Sequence, residues 1–182
     1  MTLVLAACFE GSAVVAADRR VTLVANNEVV GIDQNDKLFV HDRFVVATFG
    51  NGPPDSVPRA MALLSQDATS VDDLGARLLN RFGGTVGMGA LVAGVQSGAP
   101  MLLEIDFERR LAIPLTPDRC ELVARGQYAG GHRLLSDTIE PAVAELLEIL
   151  RSCAAQNCFV GPPFDVAVIR PEGPVRFRRV DV

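Results

Sequence analysis

The chain has 182 residues, 49% of them apolar and 21% charged, with a net charge of −5. That balance fits one folded domain (1–182) with a substantial core and excludes disorder. The acidic charge offers no footprint for nucleic acid or an anionic membrane, and neither partner is expected.

The N-terminus is apolar but has no basic leading segment, and Glu10-Gly11 interrupts it. It reads as neither a signal peptide nor a membrane span, so the mature protein is expected to start at residue 1 or 2. Leu3–Cys8 and Ser12–Ala17 form two continuous apolar runs around that break, a hairpin of strands covered on both faces. After Asp18-Arg19-Arg20 the pattern predicts a strand over Val21–Ala25, a turn at Asn26-Asn27 and a short return through Val29-Val30. Strands over Lys37–His41 and Phe44–Phe49 follow, separated by Asp42-Arg43.

The run Gly50-Asn51-Gly52-Pro53-Pro54 ends the sheet pattern, and Asp55 or Ser56 is placed to cap a helix reaching about Gln66. A second helix starts behind Ser70, carries Val71, Leu74, Leu78 and Leu79 at helical spacing, and stops at Gly83-Gly84. Strands return over Met88–Val95, Pro100–Ile105 and Arg110–Leu115. Helices are then expected over Gly131–Thr138 and Pro141–Ala154. A hairpin of Phe164–Ile169 and Val175–Val180 closes the chain. Blocks of hairpin strands alternating with helix pairs predict an α+β fold with two stacked antiparallel sheets between helical layers.

Cys8, Cys120, Cys153 and Cys158 lack metal-ligand spacing, and His41 and His132 lie far from them in sequence. No metal or cofactor is expected, and the thiols suit a reduced, cytoplasmic protein. Arg176, Arg178 and Arg179 alternate with apolar residues, as on an exposed strand face.

Of seventeen lysine and arginine side chains, only Lys37 is lysine. Arginine stays charged at any reachable pH, whereas a buried lysine can lower its pKa and exchange a proton. Thr2 directly follows the initiator methionine. Removal of Met1 places a free α-amine, with a reference pKa of about 7.7–8.0, on the residue that carries the hydroxyl. Such an amine can act as base for its own alcohol, one way to activate a threonine nucleophile.

Thr2 with its apolar strand, Gly11, and the run Val14-Val15-Ala16-Ala17-Asp18-Arg19-Arg20-Val21-Thr22 resemble the start of proteasome β-subunits and their bacterial HslV-type relatives. Lys37-Leu38-Phe39 resembles the segment that delivers that family's catalytic lysine. Ala47-Thr48-Phe49-Gly50 resembles the strand end whose glycine amide forms the oxyanion hole, and Phe164–Ile169 resembles a strand of the last hairpin. The resemblance implies a four-layer αββα sandwich of the N-terminal nucleophile hydrolase type, with two antiparallel sheets between helix pairs.

It also implies roles. Thr2 is the nucleophile, with Lys37 beside Asp18 easing loss of its proton, and the Gly50 amide stabilises the oxyanion. Thr22 and Gly52 hydrogen-bond an extended peptide, and Val21, Asn35 and Thr48 line the pocket for the residue before the cut. Where the family carries a glycine-serine-glycine turn and an aspartate-x-x-serine pair, this chain has Arg125-Gly126-Gln127 and Asn157-Cys158-Phe159-Val160. Gln127 and Asn157 are the candidate supports there, able to hydrogen-bond but without the charge. The implied activity is threonine-type endopeptidase action on unfolded polypeptide inside a homo-oligomeric double ring, with an ATP-dependent unfoldase as the feeding partner. A catalytically degenerate scaffold subunit, and an amidase or peptide ligase of narrow specificity, are the alternatives.

Overall fold

Two antiparallel five-stranded sheets pack through one shared apolar layer, in a computed structural model that describes residues 2–26, 28–50, 57–116, 118, 121–126, 133–157 and 159–181. In chain order the strands are β1 (Leu3–Phe9), β2 (Ser12–Asp18), β3 (Arg20–Ala25), β4 (Glu28–Gln34), β5 (Leu38–His41) and β6 (Phe44–Gly50). Helices α1 (Val57–Gln66) and α2 (Val71–Phe82) precede β7 (Met88–Gln96), β8 (Ala99–Asp106), β9 (Leu111–Leu115) and β10 (Leu122–Gly126). Helix α3 (Ile139–Gln156), β11 (Phe164–Ile169) and β12 (Arg176–Val180) complete the order.

One sheet runs β10-β1-β2-β11-β12 and the other β5-β6-β7-β8-β9, while among the described residues β3 and β4 form a separate two-stranded ribbon. Continuous burial of β1 and β2 has a direct cause in the pleat, which sends alternate side chains to opposite faces. Leu3, Leu5, Ala7, Val14 and Ala16 join the cluster under α3, with Leu146, Leu147 and Leu150. Their neighbours Val4, Ala6, Cys8, Ala13, Val15 and Ala17 meet Val45, Ala47, Leu91 and Ala93 of the second sheet. On that sheet's far face, Phe44, Val46, Ala90 and Val92 pack with Met61, Leu74 and Leu78 of α1 and α2.

Most expected elements appear within a residue or two, including α2 behind its Ser70 cap, whose hydroxyl accepts the Asp73 amide at 3.0 Å. The expected caps Asp55 and Ser56 lie outside the described residues. Two expectations are corrected. Residues 133–138 form no helix: Arg133 bridges to Glu121, and the Leu135 and Ser136 amides donate to the Glu145 carboxylate. Among the described residues the first sheet therefore carries one helix, α3, rather than a pair. Strand β10, not anticipated, pairs with β1 from Leu3↔Gly126 to Ala7↔Leu122. No helix among the described residues is long and apolar enough to cross a membrane.

Candidate active site

Asp18 is the last residue of β2, and its carboxylate is fully buried at the point where three segments converge. Oδ1 accepts the Leu3 amide at 2.7 Å and Oδ2 the Arg20 amide at 3.1 Å. Lys37, 6% exposed, donates through Nζ to Oδ1 at 3.1 Å and Oδ2 at 3.0 Å, and also to the Arg20 carbonyl. The Gly161 amide is a further donor to the carboxylate. An acceptor given this many N–H donors is held in its ionised form, because a carboxylic O–H would face donors.

Burial pushes the Lys37 ammonium below the usual lysine range, against the pull of Asp18 and with an added push from Arg20. Burial also pushes the Asp18 carboxyl up, and Lys37 and the Leu3 and Gly161 amides pull it back. A buried lysine moved in this direction gives up its proton more readily than a solvent-exposed one. The Leu3 amide that Asp18 holds belongs to the peptide unit whose carbonyl is Thr2, and Thr2 is itself only 4% exposed. Thr2, Asp18 and Lys37 are thus connected through one backbone unit.

Two glycines that the sequence reading did not single out shape the same region. Gly126 lies opposite Leu3 in the β1–β10 register with φ +99°, and a Cβ there would sit 1.7 Å from the Thr2 carbonyl oxygen. Only glycine allows that backbone approach and that φ. At Gly161 the Arg20 guanidinium carbon lies 2.2 Å from where a Cβ would be, so any side chain there would have to push the guanidinium aside. Each glycine was visible in the sequence only as part of a turn, because the strand it faces is distant along the chain.

The remaining predicted residues fall as follows. Gly50 ends β6 with φ +90°, and a Cβ would meet the Gly87 carbonyl oxygen at 2.1 Å, so the position demands glycine. Thr48 lies on β6 and donates from its amide (2.8 Å) and hydroxyl (3.4 Å) to the Lys37 carbonyl. Val21 and Thr22 sit on β3 opposite Asp33 and Ile32 of β4. The Asn35 amide donates to the Arg19 carbonyl at 2.9 Å. Asn157 caps the end of α3, and its Oδ1 accepts the Phe159 amide at 2.9 Å. That turn leads into Gly161, so the observed contact of Asn157 lies in the loop that supplies an Asp18 donor. Met1, Gly52 and Gln127 lie outside the described residues.

No family model matches the sequence, and no curated protein matches it. Solved structures do. Anbu from Hyphomicrobium sp. strain MC1 is 20% identical with a TM-score of 0.71, the match covering 98% of this chain and 87% of that one. Its Gly-1 mutant matches at 20% identity and a TM-score of 0.69 over 98% and 86% of the two chains. Anbu (ancestral beta-subunit) from Yersinia bercovieri gives the same identity, TM-score and coverages. The placement with proteasome β-subunits and HslV-type relatives, made chiefly from the first fifty residues and from Phe164–Ile169, is corrected by these matches: the three structures are Anbu proteins, a closely related proteasome-like group. At this identity the likeness shows the fold.

Proposed function

We propose that the chain is a threonine-type N-terminal nucleophile hydrolase acting on peptide bonds, with Thr2 as nucleophile once Met1 is removed. The observation that carries this reading is the buried Asp18–Lys37 pair, tied to the backbone next to Thr2 by the Leu3 amide. Thr2 Oγ1 adds to the substrate carbonyl, and its proton passes to the α-amine and then to the leaving amine as the C–N bond breaks. Water hydrolyses the resulting ester and restores the hydroxyl. Lys37 lowers the energy of the developing alkoxide, and the Gly50 amide serves the oxyanion, a donor type worth about 3–4 kcal/mol.

An extended peptide lies along β3 in this reading, contacted by Val21, Thr22, Asn35, Thr48 and Gly52, with Gln127 and Asn157 supporting the nucleophile. The packing of α3 outside one sheet and of α1 and α2 outside the other supports a four-layer αββα sandwich in a single domain. Unfolded polypeptide as substrate, a homo-oligomeric double ring and an unfoldase partner belong to the same reading. The free thiols Cys8 and Cys153 suit a cytoplasmic setting.

The burial of Thr2 favours a second reading, a proteasome-like scaffold subunit without turnover, and the Anbu fold is compatible with it. The test is incubation with a threonine-directed epoxyketone followed by intact-mass analysis. Loss of Met1 and one adduct on Thr2, absent in Thr2→Ala, support the hydrolase; a folded, Met1-free protein that stays unlabelled overturns it. Retained Met1 favours the scaffold. Hydrolysis of casein as well as short peptides separates a peptidase from a narrow amidase or ligase.

A further inference from the structure

Asp18 and Lys37 come from different segments, and each has a charged neighbour in the chain: Arg19 follows Asp18, and Asp36 precedes Lys37. These neighbours are also paired, Arg19 Nη2 to Asp36 Oδ1 at 2.6 Å. The two segments run antiparallel, with the Asn35 amide on the Arg19 carbonyl, and their side chains pair Asp18 with Lys37 and Arg19 with Asp36. Behind them lies Asp165 of β11, fully buried, with Arg19 Nε 3.6 Å from Oδ2 and Arg179 Nε of β12 2.8 Å from Oδ1. Arg179 Nη2 reaches back to Asp36 Oδ1 at 3.1 Å and closes the ring.

Two positive and two negative groups alternate around this ring, so it carries no net charge. Arg19 Nε is buried without a hydrogen-bond partner, so the guanidinium depends on ionic partners on both sides. Such closed networks hold geometry more firmly than isolated surface pairs. Asp36 is the member next to Lys37 and takes both arginines on the same oxygen.

We propose that the Arg19–Asp36–Arg179–Asp165 ring is a positioning device that sets the Lys37 ammonium against Asp18, with Asp36 as the link between the ring and Lys37. Its value for turnover rests on the hydrolase reading above, whereas the placement of Lys37 stands on the geometry alone. Asp36 is half exposed, so Asp36→Asn removes the link without opening the core. The segment before β5 then loses its ionic tie to Arg19 and Arg179, and water reaches Lys37.

Because Lys37 is the sole lysine, protein labelled with 13C-lysine gives one Cε resonance whose pH titration reads this ammonium directly. The charged groups facing it are Asp18 from β2 and Arg20 from β3, with Asp36 beside it. In Asp36→Asn the midpoint should rise toward the ordinary lysine value by about one unit, a tenfold change in proton affinity. Arg179→Gln should move it the same way, and Asp36→Glu should restore the wild-type midpoint. Losing a nearby negative charge without movement would shift the midpoint downward, so a fall, or no change, in Asp36→Asn overturns the proposal. So does an equal rise in Asp73→Asn, which weakens a distant helix cap. Epoxyketone labelling of Thr2 should slow about tenfold in Asp36→Asn, which tests the link to turnover. Failure of wild-type labelling overturns the hydrolase reading and leaves the titration to decide the positioning.

Discussion

Lys37 and Asp18 hold opposite charges in a place that solvates neither, and this makes each depend on the other. Asp18→Asn leaves an uncompensated buried ammonium and should cost about 3–5 kcal/mol, read as a fall in the urea midpoint. Adding Lys37→Met to that variant should recover part of the loss, since no charge then remains unpaired. Lys37→Arg tests the chemistry more sharply. It keeps a cation beside Asp18 but cannot surrender a proton, so the protein should fold while epoxyketone labelling of Thr2 is lost. Near-normal labelling in that variant would reduce Lys37 to a structural cation. Both residues were legible in sequence, one by its rarity and the other by its spacing from Thr2. Gly126 and Gly161 were not, because what they accommodate, the Thr2 carbonyl and the Arg20 side chain, lies far from them along the chain.

At the scale of elements, local signals worked where the stabilising contact is local. Ser70 caps α2 through the Asp73 amide, and Asp73 in turn accepts from Thr69 and pairs with Arg77. Ser70→Ala should cost about 1 kcal/mol in thermal unfolding. The Thr69 amide, followed by Arg77, holds the Asp73 carboxyl below the usual carboxylate range. A depressed folded pKa contributes stability above the unfolded value, lost as pH falls through the folded one. The stability gap between wild type and Asp73→Asn should therefore close below about pH 4. Strand β10 shows the opposite case: its five residues carry Arg125 and Gly126 and gain their conformation from pairing with β1. Gly126→Ala should displace Thr2 and abolish its labelling, with lowered stability by differential scanning calorimetry as the structural readout. The described part of the expected helix, 133–138, failed for a related reason. Ser136, Asp137 and Thr138 favour turns, and the Glu145 carboxylate takes the backbone amides of Leu135 and Ser136 that a helix would have used.

Across the whole molecule, the contact between the two sheets decides what is accessible. Cys8 points into that layer, and burial pushes its thiol from 9.0 to about 11. Folded protein should leave Cys8 unmodified by iodoacetamide at neutral pH, with modification appearing only under unfolding conditions; rapid labelling of the native protein would mean the sheets separate. A raised folded pKa contributes stability that is present below 9.0 and lost as pH rises toward about 11, so alkaline unfolding should ease in that window and less so in Cys8→Ala.

The sequence by itself determined most of the strand and helix order and the doubly covered β1 and β2, since periodicity and caps are written locally, while the pairing of Asp18 with Lys37 was implied by the resemblance to proteasome β-subunits. Only the tertiary structure decided the β10 edge, the one helix, among the described residues, over the first sheet, the close approach of Gly126 to Thr2 and the ion ring behind Lys37. Those features join residues far apart in the chain, Asp36 with Arg179 among them, and their energies come from contacts that exist only once the sheets have formed.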